Sequence, residues 1–124
     1  MTAYRVEIIA VGTELLLGNV ANTDAQFLSE MLASVGVDVL YHTAVGDNPA
    51  RLREVVDIAR GRANLLVFTG GLGPTYDDMT KQIVCEAFGL GLEFHPEIVE
   101  EIRHYFDTVF RREMPACNLQ QAYL

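Results

Sequence analysis

The residues best suited to chemistry lie in one run, Thr69-Gly70-Gly71-Leu72-Gly73-Pro74-Thr75-Tyr76-Asp77-Asp78-Met79-Thr80. Its three glycines let the backbone turn tightly and aim N–H groups at an anion. Thr69, Thr75 and Thr80 add hydroxyls suited to phosphate or metal. Asp77 and Asp78 stand where a helix is expected to begin, with Asp77 as its N-cap, a place where phosphate would be the natural guest. Two further carboxylates, Glu14 and Asp47, follow other apolar runs. Carboxylates within about 4–5 Å of one another repel by a few kcal/mol per pair at an effective dielectric near 20. A phosphate dianion worsens that balance, and a divalent cation resolves it by bridging carboxylates to substrate phosphates. Metal-assisted chemistry on a phosphorylated small molecule follows, inferred from charge balance and not from a ligand signature.

The candidate metal ligands are therefore Asp47, Asp77, Asp78 and Glu14, with Asp78 and Asp47 as the catalytic pair. Candidates for phosphate or nucleotide binding are Gly12, Thr13, Thr69, Gly70, Gly71, Gly73, Thr75, Thr80 and Lys81. Lys81, the one lysine, either reaches a phosphate or pairs with Asp77 or Asp78. Neither the Walker pattern nor Gly-x-Gly-x-x-Gly is present, because Gly71-Leu72-Gly73-Pro74-Thr75-Tyr76 lacks the third glycine. His42, His95 and His104 are scattered, so no zinc spacing or Ser-His-Asp set is readable.

The elements that must position these groups are legible in the apolar pattern. Val6 to Val11 is a nearly continuous apolar run, the mark of a strand buried on both faces. A loop from Gly12 to Asn22, containing Gly18-Asn19, leads to a helix capped by Thr23 with Gln26 reaching back. Ala25, Leu28, Leu32 and Val35 form its inward stripe, widened by Phe27 and Met31, and Gly36 closes it. Val37 to Val45 reads as a second strand. Asn48-Pro49 starts a helix that turns Leu52, Val55, Val56, Ala59 and Ala63 inward. Leu65 to Thr69 is the third strand. Thr80, Ile83, Val84, Ala87 and Phe88 line the next helix, which stops at Gly89. Pro96 starts a helix running to Arg112, with Ile98, Ile102, Tyr105, Phe106 and Val109 buried, and a short helical stretch covers Asn118 to Leu124. A βαβαβα order with buried strands predicts a three-layer α/β sandwich on a parallel sheet. Ligands then sit at the carboxyl ends of the strands, where Gly12, Asp47 and Gly70 fall.

The chain has 124 residues, half of them hydrophobic, enough for one domain with a real core. Its formal net charge of −8 provides no basic stripe for nucleic acid or an anionic membrane. Cys85 and Cys117 form no Cys-x-x-Cys pair and fit a reducing compartment. No signal-like leader or membrane-spanning run is seen, so a cytoplasmic protein is expected.

Val11-Gly12-Thr13-Glu14-Leu15-Leu16-Leu17-Gly18, Asn22-Thr23, Val45-Gly46-Asp47, the Thr69–Thr80 run and Asn118-x-x-Gln121-Ala122 together resemble the N-terminal domain of the CinA competence/damage-inducible family. That domain belongs to the molybdopterin-binding superfamily, with molybdopterin adenylyltransferases as relatives. The resemblance implies a three-layer α/β/α sandwich with a mostly parallel sheet. It implies hydrolysis of ADP-ribose to AMP with Mg²⁺ or Co²⁺, K⁺ being a further candidate ion. It also leaves molybdopterin binding with adenylyl transfer as the alternative, and a non-catalytic assembly module as a third. Gly-Gly-Leu-Gly-Pro favours the CinA side over the Gly-Gly-Thr-Gly of the adenylyltransferases. The family's amidase domain is absent and its N-terminal domain continues beyond Leu124, so the chain looks truncated at its C-terminus. An open sheet edge then makes a homo-oligomer the expected state.

Overall fold

The computed structural model describes residues 3–18 and 20–124, and Asn19 of the expected Gly12–Asn22 loop lies outside them. Three parallel strands, β1 (Val6–Val11), β2 (Val39–Val45) and β3 (Leu65–Thr69), form a sheet in the order β2-β1-β3. β1 is central, pairing Ile8 with His42 on one side and with Val67 on the other. All six of its residues are buried, because successive side chains enter opposite layers. Ile9 and Val11 pack with Val45, Leu52, Val56 and Ile83, while Val6 and Ile8 pack with Ala25, Leu28 and Leu32. Each such large side chain contributes about 2 kcal/mol on burial. Helix α2 (Thr23–Ser34) therefore covers one face, and α3 (Pro49–Arg62) and α4 (Thr80–Phe88) cover the other. The expected three-layer sandwich is what forms.

Local chemistry explains most of the boundaries. Asn48 caps α3 by accepting from the Arg51 N–H at 3.0 Å, with Pro49 following, as the sequence predicts. Gly36 and Gly89 adopt left-handed φ values of 79° and 68° just past α2 and α4, as expected. Four expectations need correcting. The segment after β1 is no plain loop: Thr13–Leu16 forms a one-turn helix, α1. Asn22, not Thr23, caps α2, its side chain accepting from the Ala25 N–H at 3.4 Å, while the Gln26 amide donates to Glu30 instead of reaching back. The inward stripe of α2 is narrower than expected: Val35 is 73% exposed because α2 ends at Ser34, and Phe27 and Met31, expected to widen the stripe, are exposed as well. β2 begins at Val39, two residues later than expected.

The C-terminal third also departs from its reading. Helix α5 spans Pro96–Tyr105, and the helical path then widens into a π turn, Phe106–Phe110, ended by Arg111 at φ 54°. Val99 and Phe106 are its buried anchors, whereas Tyr105 and Val109 are exposed. Ala116–Ala122 is a 3₁₀ segment, and it leads into an antiparallel pairing with the linker after α4. Glu93 and Leu124 exchange N–H···O bonds of 2.7 and 2.9 Å, and the rings of Phe94 and Tyr123 lie 5.1 Å apart.

The apolar run of β1 hides one charge. Glu7 is fully buried, accepting from the Thr43 hydroxyl at 2.7 Å and from the Arg62 guanidinium at 2.5 and 3.2 Å. Arg62 in turn lies 3.9 Å over the Tyr41 ring. Burial pushes the Glu7 carboxyl up, but the bonds from Arg62 and Thr43 outweigh it and hold the group below its ordinary value of 4.5. A depressed folded pKa means stability that is full above the ordinary value and lost as pH falls through the folded one. Removing Arg62 leaves a buried carboxylate unpaired. Arg62→Ala is therefore expected to lower the urea midpoint clearly at neutral pH. The deficit relative to the parent should shrink as pH drops below about 4.5 and Glu7 becomes neutral. A pH-independent deficit in a urea titration series would contradict this pairing.

Candidate functional site

All three strands deliver their C-terminal ends to one edge of the sheet, and the Thr69–Thr80 run crosses that edge. The turn is forced by close approach. Gly70 has φ +84°, and a Cβ there would stand 2.0 Å from the Val11 carbonyl oxygen. Gly71 has φ +66°, and its Cβ would stand 2.1 Å from the Thr80 hydroxyl. Thr80 is buried, donating its hydroxyl to the Gly70 carbonyl at 2.8 Å and its N–H to the Gly71 carbonyl at 3.1 Å. Thr80 therefore pins the loop to the start of α4 and does not face the ligand edge.

Asp78 closes the second half of the loop. Its carboxylate accepts from the Thr75 N–H at 3.0 Å and the Thr75 hydroxyl at 2.7 Å, and lies against Gly73. Burial pushes the Asp78 carboxyl up, yet the bonds from Thr75 and the Gly73 N–H hold it below its ordinary 3.8. Helix α4 begins at Thr80 after Met79, so Asp77 is not its N-cap and Asp78 is not in its first turn. The Asp78 side chain supports a turn before the helix, a role that the Asp-Asp pair masked in the sequence.

The candidate residues sort into three places. Gly71, Gly73, Thr75, Asp78 and Lys81 line a cleft of about 690 Å³ between the loop and the C-terminal segment. Lys81 pairs with neither Asp77 nor Asp78: its ammonium donates to the Gln120 carbonyl at 2.9 Å across that cleft. Glu14, Thr69 and Gly70 line a smaller recess of about 130 Å³ beside Asn22 and Asp24, where the Thr69 hydroxyl donates to Asp24 at 3.0 Å. Thr13 and Asp47 are clasped to each other: the Thr13 N–H donates to the Asp47 carboxylate at 3.2 Å, and the Asp47 N–H to the Thr13 hydroxyl at 3.0 Å. Gly12, buried, donates its N–H to the Val45 carbonyl at 2.8 Å and so anchors that clasp to β2.

The four carboxylates proposed to share a metal are thus dispersed. Among the described residues, no group of three or more His, Cys, Asp or Glu side chains could hold a metal ion. Asp47 and Asp78 are each engaged by backbone N–H groups, and Glu14 folds back toward Gly12. The residues do not fit a protein-held metal as a set. Charge balance overestimated their crowding: Asp78 is engaged by Thr75 within its own turn, and Asp47 by Thr13 on another strand's loop. Sequence reasoning missed the far wall of the cleft, made by Leu92, Cys117, Gln120 and Tyr123. Nothing in local pattern announces that the chain returns there; the Asn118-x-x-Gln121-Ala122 block was the only hint.

A family model described as "Probable molybdopterin binding domain" matches residues 7–119. The chain belongs to that family. It is 52% identical over 120 residues to a competence-damage inducible protein of Bacillus velezensis and 51% identical over 118 residues to its Bacillus subtilis counterpart. These alignments cover 97% and 95% of this chain but 29% and 28% of the relatives, so the chain spans under a third of their length. Among solved structures, the CinA protein of Thermoplasma acidophilum superposes with a TM-score of 0.84 at 28% identity, covering 98% of this chain and 70% of that one. The molybdopterin biosynthesis enzyme MoaB of Thermus thermophilus shares the fold, with a TM-score of 0.65 at 24% identity, over 97% of this chain and 72% of that one. The resemblance read from the spaced motifs is borne out.

The loop geometry makes two substitutions informative. Gly70→Ala meets both a positive φ and the Val11 carbonyl, and should cost more than about 2 kcal/mol in urea denaturation. Asp78→Ala leaves the Thr75 donors to water and should cost about 1 kcal/mol at neutral pH. Because the Asp78 pKa is depressed, the second loss should fade as pH falls below the ordinary aspartate value of 3.8.

Proposed function

We propose that this domain binds a nucleotide diphosphate in the loop cleft, and that ADP-ribose is its substrate, hydrolysed to AMP and ribose 5-phosphate. The observation that carries the reading is the cleft itself, in which the Gly71–Thr75 loop faces Lys81. Oriented amides and a compact ammonium supply a local anion site within a chain of net charge −8. Lys81 makes no ion pair among the described residues, and its present partner is a neutral carbonyl. A phosphate oxygen is a better acceptor, so the ammonium is available to it. The resemblance of the spaced motifs to the CinA family, for which that substrate is implied, is the ground for ADP-ribose as the guest.

In this reading the protein's own groups bind and orient. The loop amides that Asp78 does not claim, those of Gly71 and Leu72, hold phosphoryl oxygens and favour the extra charge of a displacement transition state. Asp78 keeps the loop in that shape, and Asp47 fixes the neighbouring turn at Thr13. The alternative is molybdopterin binding with adenylyl transfer, of which the binding part is supported by the description of the family model. The proposal also includes a cytoplasmic setting, which the two free cysteines suit, and self-association, supported by the exposed Phe27 and Met31 on α2 and checked by sizing chromatography.

Calorimetry with ADP-ribose and with a pterin phosphate separates the two readings. ADP-ribose should bind, and with Mg²⁺ or Co²⁺ present AMP should appear by chromatography. Asp78→Ala should slow AMP release about a hundredfold, since misplacing reacting groups by about 1 Å has that effect. Mg²⁺ or Co²⁺ alone should leave the melting temperature unchanged, because no carboxylate set converges on it. Pterin binding without ADP-ribose binding would favour the alternative.

A further inference from the structure

The cleft is larger than phosphate recognition requires. Its volume of about 690 Å³ falls within the range of about 300–1,000 Å³ typical of sites for whole small molecules. The loop and Lys81 occupy its polar side. On the far side stand Leu92 and Tyr123, and at the rim stands Tyr76, whose side chain is 93% exposed. Tyr76 belongs to neither apolar core cluster, so its ring has no packing role in the fold among the described residues. Tyr123 is different. Its ring packs against Phe94 at 5.1 Å, and its backbone is held where Glu93 and Leu124 pair, so it reaches the cleft as a fixed surface. Gln82, also on the wall, offers an amide that can both donate and accept.

We propose that Tyr123 and Tyr76 form a stacking subsite for a planar heterocycle attached to the bound phosphate. This deepens the phosphate-binding reading of the same cleft and rests on it. A ring system gains from a flat apolar partner whatever its hydrogen-bonding edge, so adenine and pterin rings share this chemistry. Leu92 closes the apolar side, and the Gln82 amide is placed to meet the ring edge. In the free protein Lys81 bonds to Gln120 within the 3₁₀ segment that precedes Tyr123, so exchange of that bond for a phosphate contact couples the two sides of the cleft. Specificity for a nucleotide over a bare sugar phosphate then resides in the C-terminal segment and not in the glycine loop.

Calorimetry on the full 124-residue chain tests this with three ligands: ADP-ribose, neopterin monophosphate and ribose 5-phosphate, the last having no ring system to stack. Tyr76→Ser, at a fully solvated position, and Tyr123→Leu should each weaken ADP-ribose by about tenfold. Both should leave ribose 5-phosphate within about twofold, and a melting scan of each variant confirms the fold. Tyr76→Ser carries the test should Tyr123→Leu disturb the pairing with Phe94. Whichever of ADP-ribose and the pterin phosphate loses affinity identifies the ring that the wall accepts. Losses for ribose 5-phosphate equal to those of the ring-bearing ligands, or no loss for either ring-bearing ligand, would overturn the stacking subsite while leaving the phosphate site standing. Failure of the parent chain to bind any of the three would overturn the phosphate reading itself, and the subsite with it.

Discussion

The contact between the Gly70–Gly71 turn and the end of β1 is the constraint on which the candidate site depends. A Cβ at Gly70 would sit 2.0 Å from the Val11 carbonyl, so only a bare backbone lets the chain leave β3 at that point. The Thr80 hydroxyl then joins the turn to α4 from within the core. With both ends fixed, the segment from Leu72 to Thr75 has one place to go, and Asp78 holds it there through Thr75. The loop lines the cleft because the turn after β3 and the start of α4 fix both of its ends. Preorganisation of this kind is what makes backbone dipoles effective toward an anion.

The second constraint is the way charge is handled. A chain of net charge −8 has put its carboxylates into local contracts: Asp78 with Thr75, Asp47 with Thr13, and Glu7 with Arg62 and Thr43. Each neutralises itself against donors a few ångströms away. The result is an acidic protein whose candidate anion site is bordered by carboxylates and yet not dominated by them. Lys81, bonded to a backbone carbonyl, is the cation available at that site.

The fold was legible because its signals are local. Buried strands in a parallel sheet are apolar runs, and Asn48-Pro49, Gly36 and Gly89 mark helix ends by chemistry that needs no tertiary contact. The glycine loop was legible for the same reason. The misreadings arose where distant partners decide. Glu7 disappears in an apolar run because Arg62, 55 residues away, neutralises it. Asp77 and Asp78 read as a helix start because two acids before an amphipathic stretch usually are one. Here Thr75 claims Asp78, and the helix begins two residues later. The far wall of the cleft was illegible, since Tyr123 and Leu92 come together only through the pairing of Glu93 with Leu124.

The most direct measurement of the central claim is a backbone amide titration by NMR, adding ADP-ribose to isotopically labelled protein. The largest shifts should map to the amides of Gly71 and Leu72, with Lys81 and Gln120 moving as their bond is exchanged for a phosphate contact. Shifts centred instead on Glu14, Asp24 and Thr69, with the loop amides unmoved, would contradict it.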